Sequence, residues 1–263
     1  MTRKIQIKIP FEQDLEQFMS RSHPEVADYR VLNKSLDSRF ANRGKIPHWE
    51  YHLEVIGPGE NFSRFKEELP FIGPINSTPI IVGAGPGGLF CALRLLEYGI
   101  PSIIIERGSP AHERMKYISK FWRYGEFDSE NNVCFGEGGA GLFSDGKLIT
   151  RVKSPFIKYV MNRLVDFGAP EEVAYLSNPH LGSNKIRGLI SKITQYLCAH
   201  GCQIHYQTKV TGLIFKQDKV TGVRILGNKE LYSDHVILAT GHSADQMYQH
   251  LMENNVGMKQ KDF

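Results

Sequence analysis

The sequence predicts an α/β fold in which a parallel sheet with a β-meander follows a small α+β module. Three features predict it: a β-branched run at residues 80–82 before a glycine-rich turn, a second apolar strand at 102–105, and short alternating strands between 203 and 233. Continuous apolar runs are typical of parallel strands buried on both faces, and alternation is typical of antiparallel strands with one wet face. We place the module at residues 1–76 and the second domain at 77–263.

The composition is that of an ordinary globular protein. The chain has 263 residues, of which 41% are hydrophobic and 23% charged. Its net charge of +4 is too diffuse to predict a nucleic-acid partner. The first residues lack the apolar core of a signal peptide, and Pro and Gly interrupt the uncharged stretch 70–93, so no membrane span is predicted. We therefore expect a cytoplasmic protein without a membrane or nucleic-acid partner.

The first module is predicted to be ferredoxin-like. Its order of strand, helix, strand and strand suits a small α+β unit. The following stretch, residues 69–78, has two prolines and a glycine without periodicity, which predicts a linker. The predicted elements are a strand through Ile5, Ile7 and Ile9, a helix over 11–19, and strands at 29–36 and 51–56 joined by a polar loop at 42–44.

The glycines after the first apolar strand predict a dinucleotide site. Gly83 permits a tight turn, Gly85 allows a diphosphate to approach the main chain, and Gly88 lets the next helix pack on the strand. The N-terminus of that helix favours anions through its free N–H groups and its dipole. Glu106 ends the second strand, where a carboxylate binds ribose hydroxyls and repels a 2′-phosphate. This favours FAD or NAD over NADP; a surface ion pair is the alternative role for Glu106.

A second glycine-rich stretch follows at residues 135–151. Five glycines fall between 136 and 146, which is entropically costly unless the backbone must approach another group closely. Successive backbone N–H groups can form a nest for a phosphate or for the polar edge of a flavin. Gly139, Gly141 and Ser144 are the candidate contacts beside a flavin. The alternative is a flexible surface loop.

The remaining elements follow from periodicity and turn signals. Helices are predicted over 110–122, 156–167, 183–200 and 243–253, with Ser183 or Asn184 capping the third, and a β-meander over 203–233 leads into a strand at 235–241.

The cysteines predict no redox pair. Cys91, Cys134, Cys198 and Cys202 form neither a CxxC motif nor a zinc knuckle, and no metal ligands, nucleophile or acid–base pair stand out. His180 and His242 are the candidates for proton handling. For His180, a structural role in its turn is the alternative.

Together these residues resemble the flavoprotein oxidoreductases with a glutathione-reductase-like FAD domain, in which a glycine fingerprint, an acid and a β-meander precede a strand like Ala239-Thr240-Gly241. The resemblance is closer to a bacterial family of FAD-dependent, or NAD(FAD)-utilising, dehydrogenases. The phrases that carry it are KSLDSR at 34–39, FGEGGAGLFSDGKL at 135–148, PHLGS at 179–183 and ATGHSA at 239–244. It implies a Rossmann-like FAD-binding domain after a ferredoxin-like module.

The resemblance also implies a site. The 136–147 loop would lie along the flavin and diphosphate, and the backbone of Val210 would meet the adenine. One departure is Asp245-Gln246, where the family tends to have Arg-Asp. Such flavoproteins usually continue past the last strand, so we expect an N-terminal portion of a longer enzyme. The predicted cofactor-binding residues are Gly83, Gly85, Pro86, Gly87, Gly88, Glu106, Arg107, Gly138, Gly139, Gly141, Ser144, Val210, Thr240 and Gly241.

The leading functional hypothesis is an FAD-dependent oxidoreductase that transfers a hydride or electrons through the flavin, with NADH or NADPH as the candidate donor and an unknown small-molecule substrate. The alternatives are a dinucleotide-binding module without turnover and an NAD-binding dehydrogenase domain. The 135–151 loop favours FAD over NAD, because a nicotinamide domain has no evident need for it.

Overall fold

The computed structural model describes residues 2–39, 44, 46–62, 69–148, 150 and 152–260. In chain order the helices and strands are β1 (Arg3–Pro10), α1 (Leu15–Ser22), β2 (Asp28–Asp37), β3 (His48–Ile56), β4 (Ile80–Val82), α2 (Pro86–Glu97), β5 (Ile103–Ile105), α3 (Ala111–Tyr124), α4 (Phe156–Asp166), α5 (Ser183–Ala199), β6 (Gln203–His205), β7 (Val210–Lys216), β8 (Lys219–Ile225), β9 (Lys229–Tyr232), β10 (Val236–Leu238) and α6 (Asp245–Glu253), with short 3-10 helices at Ala140–Phe143 and Glu171–Ala174.

The chain packs into two compact units. The first contains Met1–Glu68 with Lys147–Leu181, and the second contains Leu69–Gly146 with Gly182–Phe263. The first break lies near the predicted boundary, but the sequence placed residues 147–181 in the second domain. Backbone hydrogen bonds to β2 explain the difference, because they join residues 175–177 to the first unit. The N–H of Lys34 donates to the carbonyl of Tyr175 at 2.8 Å, and the N–H of Ser177 donates to the carbonyl of Lys34 at 2.9 Å.

The first unit contains an antiparallel sheet in the order β1-β3-β2, with α1 packed against it. This is the arrangement of the split βαβ unit in ferredoxin-like folds. Its core holds Ile7, Ile9, Met19, Leu53 and Val55. The predicted start of the helix at residue 11 is wrong, because α1 begins at Leu15 after an N-cap in which the Asp14 side chain accepts from the N–H of Gln17. The predicted loop at 42–44 falls largely outside the described residues.

The second unit is built on a parallel sheet in the order β10-β4-β5-β6. Ile81 of β4 lies between Ile104 and Ile237, and all three strands around it are short and apolar. The sequence assigned residue 203 to the meander, whereas β6 extends the parallel sheet through pairing of Ile204 with Ile104. The Rossmann-like fold class is confirmed.

Both faces of this sheet are covered. The meander β7-β8-β9 and α6 share one core with it, centred on Val82, Ile105, Val223 and Met247. Helices α2 and α5 also contribute fully buried side chains, such as Leu89, Ala92, Ile193 and Leu197. The N-cap of α5 is Gly182, so neither Ser183 nor Asn184 caps it as predicted. No helix among the described residues is long and apolar enough to cross a membrane.

Candidate functional site

The turn after β4 requires glycine at two positions. Gly83 has a φ of +108°, and a Cβ there would lie 2.5 Å from the carbonyl oxygen of Ala239. A Cβ at Gly88 would lie 1.9 Å from the carbonyl oxygen of Gly83. Because real Cβ atoms do not approach backbone oxygens so closely, these glycines bring α2 against the ends of β4 and β10.

Gly85 differs from Gly83 and Gly88, because a Cβ at this position would point into open space. It is the N-cap of α2 with a φ of −65°, and no atom lies within 4 Å of a Cβ placed there. Pro86 follows at the start of the helix, and no side chain caps this terminus. The first N–H groups of a helix have no intrahelical acceptor and favour an anion. The N-terminus of α2 is therefore open to an anionic ligand.

Glu106, at the end of β5, is held by the main chain. Its side chain is 3% exposed, with Oε2 accepting from the N–H of Ala84 at 2.9 Å and Oε1 from the N–H of Gly108 at 2.8 Å. The carboxylate thus joins the turn after β4 to the turn after β5. Each oxygen has a second lone pair, so these bonds do not exhaust its capacity to accept.

The first part of the second glycine-rich stretch packs on the N-terminus of α2. The N–H of Gly138 donates to the carbonyl of Ala84 at 2.9 Å, and a Cβ at Gly139 would lie 2.9 Å from Cδ of Pro86. Leu142 anchors the stretch with a fully buried side chain. This packing disfavours the flexible surface loop considered from the sequence.

A buried polar cluster supports this stretch, and sequence reasoning missed it. Arg114 of α3 and Glu137 are both buried, and Glu137 accepts from the Tyr206 hydroxyl at 2.6 Å and from the N–H of Ala111. Burial raises the pKa of the Tyr206 hydroxyl, and the charge of Glu137 raises it further. One signal was visible: Arg114 shares helical spacing with the buried residues Ala111 and Ile118.

A cavity of about 920 Å³ opens between these elements. Its walls come from the turn after β4, the end of β5, two residues of α3, part of the stretch 127–140, and the segments at 208–210 and 239–247. The volume lies within the range of roughly 300–1,000 Å³ that is typical of small-molecule and cofactor sites. The predicted residues on its wall are Gly83, Gly85, Pro86, Gly87, Glu106, Arg107, Gly139, Val210, Thr240, Gly241 and His242.

The other predicted residues lie elsewhere. Gly88 is packed beneath the turn, and Gly138 packs toward Ile190 while its N–H bonds to Ala84. The hydroxyl of Ser144 donates to the carbonyl of Gly141 at 3.2 Å, and neither residue is on the cavity wall. His180 is exposed in the first compact unit, where it pairs with Lys147, whereas His242 belongs to the second unit.

An ion-pair group borders the cavity beside Val210. Glu130 pairs with Arg107 and, at 3.5 Å, with Lys209. Partial burial acts to raise the pKa of Glu130, but the hydrogen bond and charge of Arg107, with the charge of Lys209, hold it below its usual value. Arg107 and Lys209 also line the cavity, so two cations flank this end of it. Among the described residues, no group of three or more His, Cys, Asp and Glu could hold a metal.

Known proteins resemble the chain in sequence. Residues 78–259 match the family described as pyridine nucleotide-disulphide oxidoreductase. An uncharacterized protein of Clostridium beijerinckii is 37% identical over 260 residues, covering 93% of this chain and 48% of the relative. The chain therefore spans about half the length of that relative.

Solved structures also align with it. Thermovibrio ammonificans THI4 is 17% identical with a TM-score of 0.44, covering 70% of this chain and 64% of that one. Lactococcus lactis thioredoxin reductase is 16% identical with a TM-score of 0.34, covering 63% of this chain and 35% of that one.

Proposed function

The chain belongs to the pyridine nucleotide-disulphide oxidoreductase family, and from this premise we propose that it binds FAD as the cofactor-binding part of an oxidoreductase. One observation carries the proposal: the uncapped N-terminus of α2 opens at Gly85 into a cavity that Gly139, packed beside Pro86, also lines. A diphosphate needs such close access to main-chain N–H groups.

The residues present fit a dinucleotide. The missing side chain at Gly85 leaves the space that a Cβ would fill, and Gly85, Pro86 and Gly87 all line the cavity. We assign the diphosphate to the N–H groups at the start of α2, the adenosine ribose to Glu106, and the adenine to the backbone of Val210. Lys209 and Arg107 add positive charge near that end of the ligand.

FAD, when bound, supplies hydride and electron transfer. The chain's own residues bind and orient it: the glycine turns give access, Glu106 fixes the turn that receives the diphosphate, and the loop at 136–139 shields one side from water. His242 lies on the cavity wall at the end of the 239–241 segment, where we assign it the handling of a proton. NADH or NADPH as donor and a small-molecule acceptor belong to the same proposal.

The test is to purify the chain, incubate it with FAD and separate free cofactor by gel filtration. We expect the protein fraction to keep the visible absorbance of a flavin and to lose it under anaerobic mixing with NADH or NADPH. A protein that stays colourless after incubation with micromolar FAD would overturn the proposal. Flavin that is retained but is not reduced by either nucleotide would leave cofactor binding and remove the proposed donor.

A further inference from the structure

Arg114 is a fully buried cation whose guanidinium donates hydrogen bonds to main-chain carbonyl groups. It lies on α3 with no exposed surface. Its Nη1 donates to the carbonyl of Phe135 at 2.6 Å, and its Nη2 donates to the carbonyl of Gly139 at 3.0 Å. One guanidinium therefore binds both ends of the segment 135–139.

Burying this charge is unfavourable, which argues that it has a specific task. Desolvation lowers the pKa of Arg114 to about 10, and the charges of Glu106 and Glu137 oppose that change only in part. Its Nε has no hydrogen-bond partner among the described residues. Because apolar replacements of buried ion pairs are often neutral or stabilising, core filling alone does not account for a buried arginine here.

The segment 135–139 is shaped to fit the guanidinium. Gly136 has a φ of +109°, and a Cβ there would lie 2.0 Å from Nη1 of Arg114. The ring of Phe143 lies on another side, with its centroid 4.7 Å from the guanidinium carbon. The planar fork of arginine can hold two carbonyls at a fixed separation, which the ammonium of lysine does not do equally well.

The same segment forms the cavity wall against α2. Gly136 and Gly139 both line the cavity, and Gly139 packs on Pro86 while Gly138 bonds to Ala84. We propose that Arg114 is a positioning residue that holds residues 135–139 in the shape of the diphosphate-facing wall and thereby sets the affinity for a nucleoside diphosphate ligand. The part of this inference that concerns ligand affinity, the ligand half, rests on the proposed function. The part that concerns the shape of residues 135–139, the loop half, does not.

The loop half is tested in the ligand-free protein by hydrogen–deuterium exchange of peptides that cover residues 135–143. Arg114→Met should lower their protection by at least about tenfold, while peptides from the meander keep theirs. Arg114→Lys should give an intermediate value. The matched control is Arg224→Met, because Arg224 is a half-exposed arginine of β8 in the same unit, paired with Glu230; it should leave residues 135–143 unchanged.

The ligand half is tested by titration with ADP and with FAD. Losing hydrogen bonds from a buried cation should weaken both ligands by about 10- to 100-fold in Arg114→Met, with a smaller loss in Arg114→Lys. Gly136→Ala should weaken them as well. The methyl group of Gly136→Ala would meet Arg114, so both substitutions disturb the same contact. The double variant Arg114→Met/Gly136→Ala should therefore lose less affinity than the sum of the losses in the two single variants.

The outcomes separate this inference from the proposed function. Wild-type loop protection in Arg114→Met overturns the inference, whether or not FAD binds. Lost protection with unchanged ADP and FAD affinity also overturns it, since the wall would not matter to the ligand. If the wild type binds neither ligand, the proposed function and the ligand half both fail, and exchange still decides the loop half. If Arg114→Met does not fold, Arg114→Lys decides: intermediate protection supports the inference, and wild-type protection overturns it.

Discussion

The carboxylate of Glu106 accepts a hydrogen bond from the backbone N–H of Ala84 at 2.9 Å, which ties the end of β5 to the turn after β4. The same carboxylate accepts from the N–H of Gly108 at 2.8 Å. Glu106 therefore organises two glycine-containing turns before any ligand is considered. Its assignment to a ribose adds a second role to this structural one.

The first prediction concerns this double acceptor. In Glu106→Gln the amide has one oxygen, so its NH₂ group would face a backbone N–H donor and leave that donor unsatisfied. We expect a loss of about 1–3 kcal/mol in the free energy of unfolding, measured by urea denaturation. Glu253→Gln, at an exposed position at the end of α6, is the control and should leave the free energy unchanged. Equal stability of both variants would contradict the role of Glu106 in the turns.

The second prediction separates two glycines of one turn. Gly85→Ala places a methyl group in open space at a φ of −65°, so the fold should persist while FAD affinity falls, because the methyl occupies the space of the diphosphate. Gly83→Ala places its methyl 2.5 Å from the Ala239 oxygen at a φ of +108°. It should destabilise the fold by at least about 1–3 kcal/mol. Urea denaturation and FAD titration of both variants make the comparison; a Gly85→Ala protein with wild-type affinity would place the ligand elsewhere.

The third prediction is a pH dependence. The pKa of Tyr206 is raised by burial and by Glu137, so the folded state holds its proton more tightly than the unfolded state. The resulting stability is fully present below the unfolded pKa of about 10 and is lost as the pH rises through the folded value. Tyr206→Phe should lower the free energy of unfolding by about 1.5–3 kcal/mol near neutral pH, because Glu137 loses a donor.

The difference between wild type and Tyr206→Phe should then shrink as the pH rises above about 10. Urea denaturation of both proteins across that range measures it. Tyr124→Phe is the control, because Tyr124 is an exposed tyrosine at the end of α3 in the same unit. A difference that stays constant with pH would contradict both the burial of the Tyr206 hydroxyl and its bond to Glu137.

The fourth prediction uses three cysteines as reporters. Cys134 is exposed and lies on the cavity wall, whereas Cys198 is exposed on α5 and Cys202 is buried. We expect FAD to slow alkylation of Cys134 by iodoacetamide and to leave the rate at Cys198 unchanged, as followed by peptide mass spectrometry. Cys202 should react slowly in both samples. Equal rates at Cys134 with and without FAD would show that the ligand does not enter this cavity.

The strand–helix–strand part of the second unit was predictable because the residues that define it lie close together in the sequence. The run 80–82, the glycines after it and the acid Glu106 lie within one strand–helix–strand unit, and that unit forms as predicted. The helix of α3 was also found, with ends shifted by one or two residues. Helical and strand periodicities report local burial, so they predict such elements well.

The missed features depend on contacts between residues distant in sequence. Tyr206 reaches Glu137 across 69 positions, and Arg114 reaches Gly139 across 25. Neither contact produces a periodic pattern in the sequence. A charged residue on the buried face of a helix does, however, indicate that such a long-range contact exists. The pairing of residues 175–177 with Lys34 is equally non-local, which explains why residues 147–181 were assigned to the other domain.

The central claim is that a dinucleotide diphosphate binds where the turn after β4 meets α2. An equilibrium titration of the wild-type chain with FAD, followed by quenching of flavin fluorescence, tests it most directly when repeated with excess ADP as competitor. We expect saturable binding of one FAD per chain at micromolar concentration or below, with ADP displacing it. Absence of saturable binding, or binding that ADP does not displace, would contradict the account.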